Sequence, residues 1–315
     1  MKCKLVSVAR AIADWTLGAA YDLDASSICY GISTDVEDGP QFILYPPLRE
    51  RRKTYSDLEL LAVLRSLRWN EAFGSISFRG ISLDPLMKAF DTYGSEYEPY
   101  ATRQGRPIKV KSTDSKRPLL VWELRALALC STKLRRMGFR DSITRRKKGD
   151  FQNSGEEGDG CGIVEAIMPL CRRGYTNVDW FDLTGIELVE SDLDWLGIFS
   201  SSTLYPYLTA DIASVDAAAS KLAHFRGFEL GRCGLTERMV SLFLAALVAH
   251  ENTLEALDLS GNPARLHAPS LNTSMCYFPY LRKLNLSRVL RTSGSDPLLT
   301  TEVLLRWRLQ ELDLR

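Results

Sequence analysis

"LEALDLSGNP", residues 254–263, decides how this chain folds. Leu254, Leu257 and Leu259 follow the spacing L-x-x-L-x-L, and Asn262 stands three residues after the last of them. Leu257 and Leu259 fall on one face of a short strand, because side chains alternate along an extended backbone. One such stretch fits many folds. A stretch that recurs at a fixed interval specifies a repeat, since each unit carries the same apolar face and needs a neighbour to bury it.

The stretch recurs. It matches "LRKLNL" (Leu281, Leu284, Leu286) and "LQELDL" (Leu309, Leu312, Leu314) downstream. Upstream it matches "FRGFEL" (Phe225, Phe228, Leu230) and "VDWFDL" (Val178, Phe181, Leu183). Looser matches are "LRRMGF" (Leu134, Met137, Phe139) and "FGSISF" (Phe73, Ile76, Phe78). The units start at 73, 134, 178, 225, 254, 281 and 309, so the intervals are 61, 44, 47, 29, 27 and 28. The last three are nearly constant, and the first three read as the same unit carrying insertions.

The segments between the strands read as helices. "SDLELLAVLRSL" (56–67) opens on Ser56-x-x-Glu59, a capping box, and then places Leu60, Leu64 and Leu67 on one face with Leu61 beside them. "TERMVSLFLAALVAH" (236–250) has Thr236 as N-cap, with Met239, Phe243, Ala246 and His250 expected on one face. The fold class is therefore α/β, built from strand–helix units. This pattern resembles the leucine-rich repeats of the ribonuclease-inhibitor-like class. The resemblance implies a curved solenoid over 56–315, with parallel strands on the concave face and helices on the convex one. The long irregular intervals, and phrases such as "LRWNEAFGSISFRGISL", look most like actin regulators of the CARMIL type.

Residues 1–55 lack the repeat and are expected to form a flanking or capping segment, with a strand or two within 30–53. Polar, charged stretches near 92–118 and 143–160 read as inserted loops, and 199–208 as a third excursion. The chain stops on "LQELDLR", a strand without its helix, which is the pattern expected of a truncated repeat domain.

Composition narrows the function classes. The chain has 315 residues, 40 of them basic and 39 acidic, for a net charge of +1, so recognition of nucleic acid by bulk charge is not expected. Seven cysteines and three histidines show no C-x-x-C pair and no metal-ligand spacing. Reduced thiols in a cytoplasmic protein are the plain reading, with no metal and no cofactor. No window approaches the roughly 18 apolar residues of a membrane span. No phosphate loop and no G-x-S-x-G elbow occurs, and no catalytic residue is assigned.

The side chains that alternate away from the core are the candidate binding surface. Between the second and third apolar residues the units read Ser77, Gly138, Asp182, Glu229, Asp258, Asn285 and Asp313. Two residues earlier they read Ser75, Arg136, Trp180, Gly227, Ala256, Lys283 and Glu311. The face is acidic from 182 onward, while Arg79 and Arg140 lie after the early strands. Trp180 beside Asp182 is expected to be an exposed anchor. The candidate partner-binding residues are Trp180, Asp182, Glu229, Asp258, Asn285 and Asp313, facing a protein partner with a basic patch. Thr54 and Ser56 follow Arg51, Arg52 and Lys53 and form a candidate phosphorylation site. A further basic stretch, 135–148, has the composition of a nuclear-localisation or acidic-lipid patch.

The expected function is a non-enzymatic protein-interaction scaffold with a regulatory role. Two alternatives follow from resemblance alone. One is a small-GTPase regulator of the Ran GTPase-activating type, in which Asn262 is the nominated loop residue. The other is an actin-regulatory repeat arm.

Overall fold

A computed structural model describes residues 28–47, 53–89, 117–144, 160–196, 225–291 and 297–315. The expected loops within 92–116, 145–159 and 199–208, and the basic residues 51–52 and 145–148, lie outside the described residues. The fold is α/β with a mostly parallel sheet. It divides into two compact units, one drawn from Met1–Arg146 and Gly162–Val178, the other from Lys147–Cys161 and Asp179–Arg315.

The first unit opens with two strands, β1 (Tyr30–Ser33) and β2 (Gln41–Leu44), paired antiparallel. Strands β3 (Ser75–Ser77) and β4 (Arg136–Gly138) then join in parallel, β2 to β3 and β3 to β4. Tyr55 fastens the opening strands. Its hydroxyl donates to Tyr45 O at 2.6 Å and accepts from Cys29 N at 3.0 Å, and burial pushes its pKa up.

Among the described residues this unit carries the helices α1 (Asp57–Trp69), α2 (Asp84–Lys88), α3 (Leu119–Cys130) and α4 (Ile163–Arg172), with α3 packed against α1, α2 and α4. The capping box before α1 forms as its spacing requires: Ser56 Oγ accepts from Glu59 N, and Glu59 Oε2 accepts from Ser56 N at 2.8 Å. Leu60, Leu61, Leu64 and Leu67 are all buried. Between α1 and α3, Glu123 accepts from Arg65 Nε at 2.9 Å and from Arg68 Nη2 at 2.6 Å. Both Arg68 and Glu123 are buried, so the pair has to be complete to be tolerated.

The second unit repeats more closely. Strands β5 (Trp180–Asp182), β6 (Gly227–Glu229), β7 (Ala256–Asp258), β9 (Lys283–Asn285) and β11 (Glu311–Asp313) pair in parallel in that order. The central residues of the first four, Phe181, Phe228, Leu257 and Leu284, are buried in one row. Among the described residues, helices α5 (Glu190–Leu196), α6 (Glu237–Leu247), α7 (Ala268–Met275) and α8 (Thr301–Arg306) lie between successive strands. Two-residue strands β8 (Arg265–Leu266) and β10 (Leu290–Arg291) pair separately.

Thr236 caps α6, accepting from Met239 N, but the buried face differs from the expected one. Val240, Phe243, Leu244 and Leu247 are buried, while Met239, Ala246 and His250 are only half-buried. Packing against the strands turns Val240 rather than Met239 inward, and the α-helix gives way to a 3₁₀ turn at Val248–His250.

The turn after each strand is a repeating device. Two residues beyond the third apolar position stand Gly80, Asp141, Gly185, Arg232, Gly261 and Arg288, all with φ between 55° and 80°. The left-handed conformation swings the chain out of the strand, and glycine adopts it without a Cβ penalty. Peptide groups here bond to the neighbouring turn: Gly185 N to Gly231 O and Arg232 N to Ser260 O, both at 2.7 Å, and Gly261 N to Ser287 O at 2.8 Å. The ladder thus runs past the strand ends and through the turns.

Candidate functional site

Parallel pairing brings five of the six candidate binding residues into one line. Asp182 is opposite Glu229, Glu229 opposite Asp258, Asp258 opposite Asn285, and Asn285 opposite Asp313. Neighbouring strands lie about 4.8 Å apart, so four carboxyl groups and one amide form a continuous row. Each of the five is half-buried.

The row also serves the backbone. Asp182 Oδ1 accepts from Thr184 N at 3.0 Å, Asp258 Oδ1 from Ser260 N at 2.8 Å, Asn285 Oδ1 from Ser287 N at 3.0 Å, and Asp313 Oδ1 from Arg315 N at 3.1 Å. The same short acceptor closes the same turn four times, a side-chain turn in which Asp and Asn are interchangeable. Asn285 Nδ2 further donates to Asp258 Oδ2 at 3.1 Å. The Arg315 guanidinium, bonded to Asp313, holds that carboxyl below the usual carboxylate range. Glu229 is too long for the turn role and instead accepts from the Trp180 indole N–H at 2.9 Å.

Trp180 is not the exposed anchor expected from the sequence. It is 3% exposed. Its ring lies over Gly227, where an added Cβ would fall 2.3 Å from the indole Cδ2. The Arg226 guanidinium carbon stands 5.9 Å from the ring centre. Glycine at 227 opens the space into which the indole folds flat against the sheet. The signal was in the sequence, since Gly227 occupies the row position next to Trp180.

The residues just before the strands form a second line that the sequence reading did not single out. Asp179, Arg226, Glu255 and Arg282 alternate in charge. Asp179 accepts from Arg226 Nε and Nη2, both at 3.1 Å; Arg226 Nη1 is 3.9 Å from Glu255; and Arg282 bonds the other oxygen of Glu255. Their peptides are linked too, Arg226 N to Asp179 O at 2.8 Å and Glu255 N to Arg226 O at 2.7 Å. Reading down the residue before each strand would have found it. At the far end, Lys283 Nζ is 2.7 Å from Glu311 Oε1.

Asn262 is buried and fully engaged. Its Oδ1 accepts from Cys233 N and Leu235 N, both at 3.0 Å, and its Nδ2 donates to Leu230 O at 2.9 Å and Leu259 O at 2.8 Å. It ties its own turn to the preceding one. Cys233 holds the equivalent place one unit earlier, with its thiol on Leu183 O at 3.2 Å. Burial is the main cause that pushes the Cys233 thiol up to about 12.

Ser56 and Thr54 lie in the other unit, before α1. Thr54 is exposed, but the Ser56 hydroxyl donates to Glu59 Oε2 at 2.9 Å, so a phosphate on it would meet a carboxylate. Among the described residues no three His, Cys, Asp or Glu side chains are grouped to hold a metal ion, and no helix is long and apolar enough to cross a membrane. The described cysteines, Cys29, Cys130, Cys161, Cys171, Cys233 and Cys276, are free thiols. No protein-family model matches the chain, and no curated protein matches its sequence.

Proposed function

We propose that this chain is a leucine-rich repeat solenoid of the ribonuclease-inhibitor-like class, and that it acts as a non-enzymatic protein-interaction scaffold with a regulatory role. The repeat reading is supported by the in-register parallel strands, the recurring left-handed turn and the helices that alternate with the parallel strands. The observation that carries the binding reading is the row Asp182–Glu229–Asp258–Asn285–Asp313, which presents four carboxyl groups along adjacent strands. Its partner is a protein with a basic surface patch. Charge of one sign on a rigid frame speeds encounter and selects partners by complementarity.

The turn bonds dictate how to test this. A lysine at 182 or 258 would remove a turn acceptor as well as a charge. Asparagine, which already closes the turn at 285, keeps the acceptor. The chain and its Asp182→Asn/Asp258→Asn variant, immobilised at equal density, are offered cell lysate, and the bound proteins are compared by mass spectrometry over a salt series. The expected result is a partner that the variant loses and that salt releases from the parent chain. Identical sets from both chains, with identical salt dependence, would sink the reading.

A further inference from the structure

The turns that leave the strands of the second unit carry a charge opposite to that of the strand row. Arg232 and Arg288 stand in the left-handed conformation, at φ 56° and 57°, where Gly185 and Gly261 serve the same turn. A Cβ makes that conformation costly, so the chain accepts strain at two turns and sets an arginine at each. The glycine between them has a second use. A Cβ on Gly261 would fall 2.9 Å from Arg232 Cγ, so the stem of Arg232 leans over Gly261, on the side of the Arg288 turn.

Two more arginines lie on the same rim. The β8–β10 pair sets Arg265 opposite Leu290 and Leu266 opposite Arg291. Pro263, Arg265 and His267 are exposed while Ala264, Leu266 and Ala268 are buried, so Arg265 faces outward. Arg232, Arg288 and Arg291 are exposed as well. Among the described residues, the Arg265 and Arg288 guanidinium groups make no hydrogen bond or ion pair. Asp313 is held down first by its bonds from Arg315, and Arg288 is the last of the causes, a charge at a distance. Both turns have a neighbour beyond them, since Arg232 N donates to Ser260 O and Arg288 N to Arg315 O.

We propose that this rim binds the phosphoryl group of a phosphorylated serine or threonine in a protein partner. All four cations are arginine and none is lysine. A guanidinium offers two parallel N–H donors to one oxyanion, which an ammonium cannot do. A carboxylate is satisfied by one such fork. A phosphomonoester has three oxygens and nearly two charges, and takes more than one. Neighbouring strands lie about 4.8 Å apart, so the Arg232 and Arg288 turns are about 10 Å apart across Gly261, with Arg265 beside them. Long side chains at that spacing converge on a group of that size. The peptide N–H groups of Arg232, Gly261 and Arg288 are spent on the neighbouring turns, so the guanidinium groups do the binding. A membrane surface would be served equally by lysine. The proposal does not depend on the acidic row binding any partner.

The test offers the labelled full chain to an array of phosphoserine and phosphothreonine peptides, each beside its unphosphorylated twin. The expected result is a set of phosphorylated peptides bound about tenfold more strongly than their twins. Arg265→Lys/Arg288→Lys keeps both charges but loses both forks, and is expected to weaken that binding about tenfold. Both side chains are exposed and unbonded, so this variant keeps the denaturation midpoint of the parent. Asp182→Asn/Asp258→Asn is expected to bind the same phosphopeptides as the parent, whatever becomes of its other partners. Equal binding of the unphosphorylated twins overturns the proposal, and so does a lysine variant that binds as the parent does. A parent chain that binds phosphatidylcholine vesicles carrying a phosphoinositide, but no phosphopeptide, also overturns it and assigns the rim to a membrane.

Discussion

Asn262 has two donors and an acceptor, and all of them are spent on backbone that nothing else satisfies. Removing the amide strands the N–H groups of Cys233 and Leu235 in a buried turn. Asn262→Ala is expected to cost about 3 kcal/mol, since each buried donor left unpaired costs roughly 1–3 kcal/mol; chemical denaturation measures it. Cys233 gives a pH signature. Its thiol pKa rises from 9.0 in the unfolded chain to about 12 in the fold, because burial disfavours the thiolate. A raised acid pKa means that the unfolded chain releases its proton first. The stabilisation is therefore complete below pH 9 and is lost as pH climbs toward about 12. Denaturant midpoints measured across that range should fall for the parent chain and fall less for Cys233→Ala. Asp182, Asp258, Asn285 and Asp313 carry a plainer lesson. An acidic row on a strand face is partly a row of turn closures, and its charge and its geometry have to be separated by Asp→Asn changes.

At the scale of the element, each unit is a three-residue strand, a left-handed turn and a helix, and adjacent units fit through their smallest members. Gly227 shows this most directly. Gly227→Ala drives a methyl group into the Trp180 ring, so the indole has to leave Glu229 and its place over the sheet. The expected outcome is a red-shifted tryptophan emission, accompanied by a stability loss of about 1–3 kcal/mol. The strands, the capping box of α1 and the cap of α6 were legible in the sequence, because they rest on local spacing and local hydrogen bonds. The buried face of α6 was not. Met239 and Val240 are both apolar, and only packing against the strands decides which one turns inward. The exposure of Trp180 was misjudged for a related reason: the residue that buries it, Gly227, lies 47 positions away in the chain and adjacent in the sheet.

For the whole molecule, the seven occurrences of the strand pattern, with apolar residues at its first, fourth and sixth places, revealed an α/β chain of strand–helix units, and they revealed it because a repeat reports the same constraint many times. The candidate row in the second unit followed from the alternation of strand side chains. Its double duty did not, since turn closure depends on backbone positions that the residue types alone do not fix. The line Asp179, Arg226, Glu255, Arg282 has a consequence for how such a chain can change in length. Signs alternate from one unit to the next, so the units come in two kinds. Excising residues 254–280, one whole unit, would bring Arg226 against Arg282, two positive charges where a pair stood. Adding Arg282→Glu to that deletion restores an opposite-charge pair and leaves Gly227 beneath Trp180. The deletion alone is therefore expected to be the less stable product, in thermal melts of the two proteins side by side. Neighbouring units are thus not interchangeable, because each of these four positions is matched to a next unit of opposite sign.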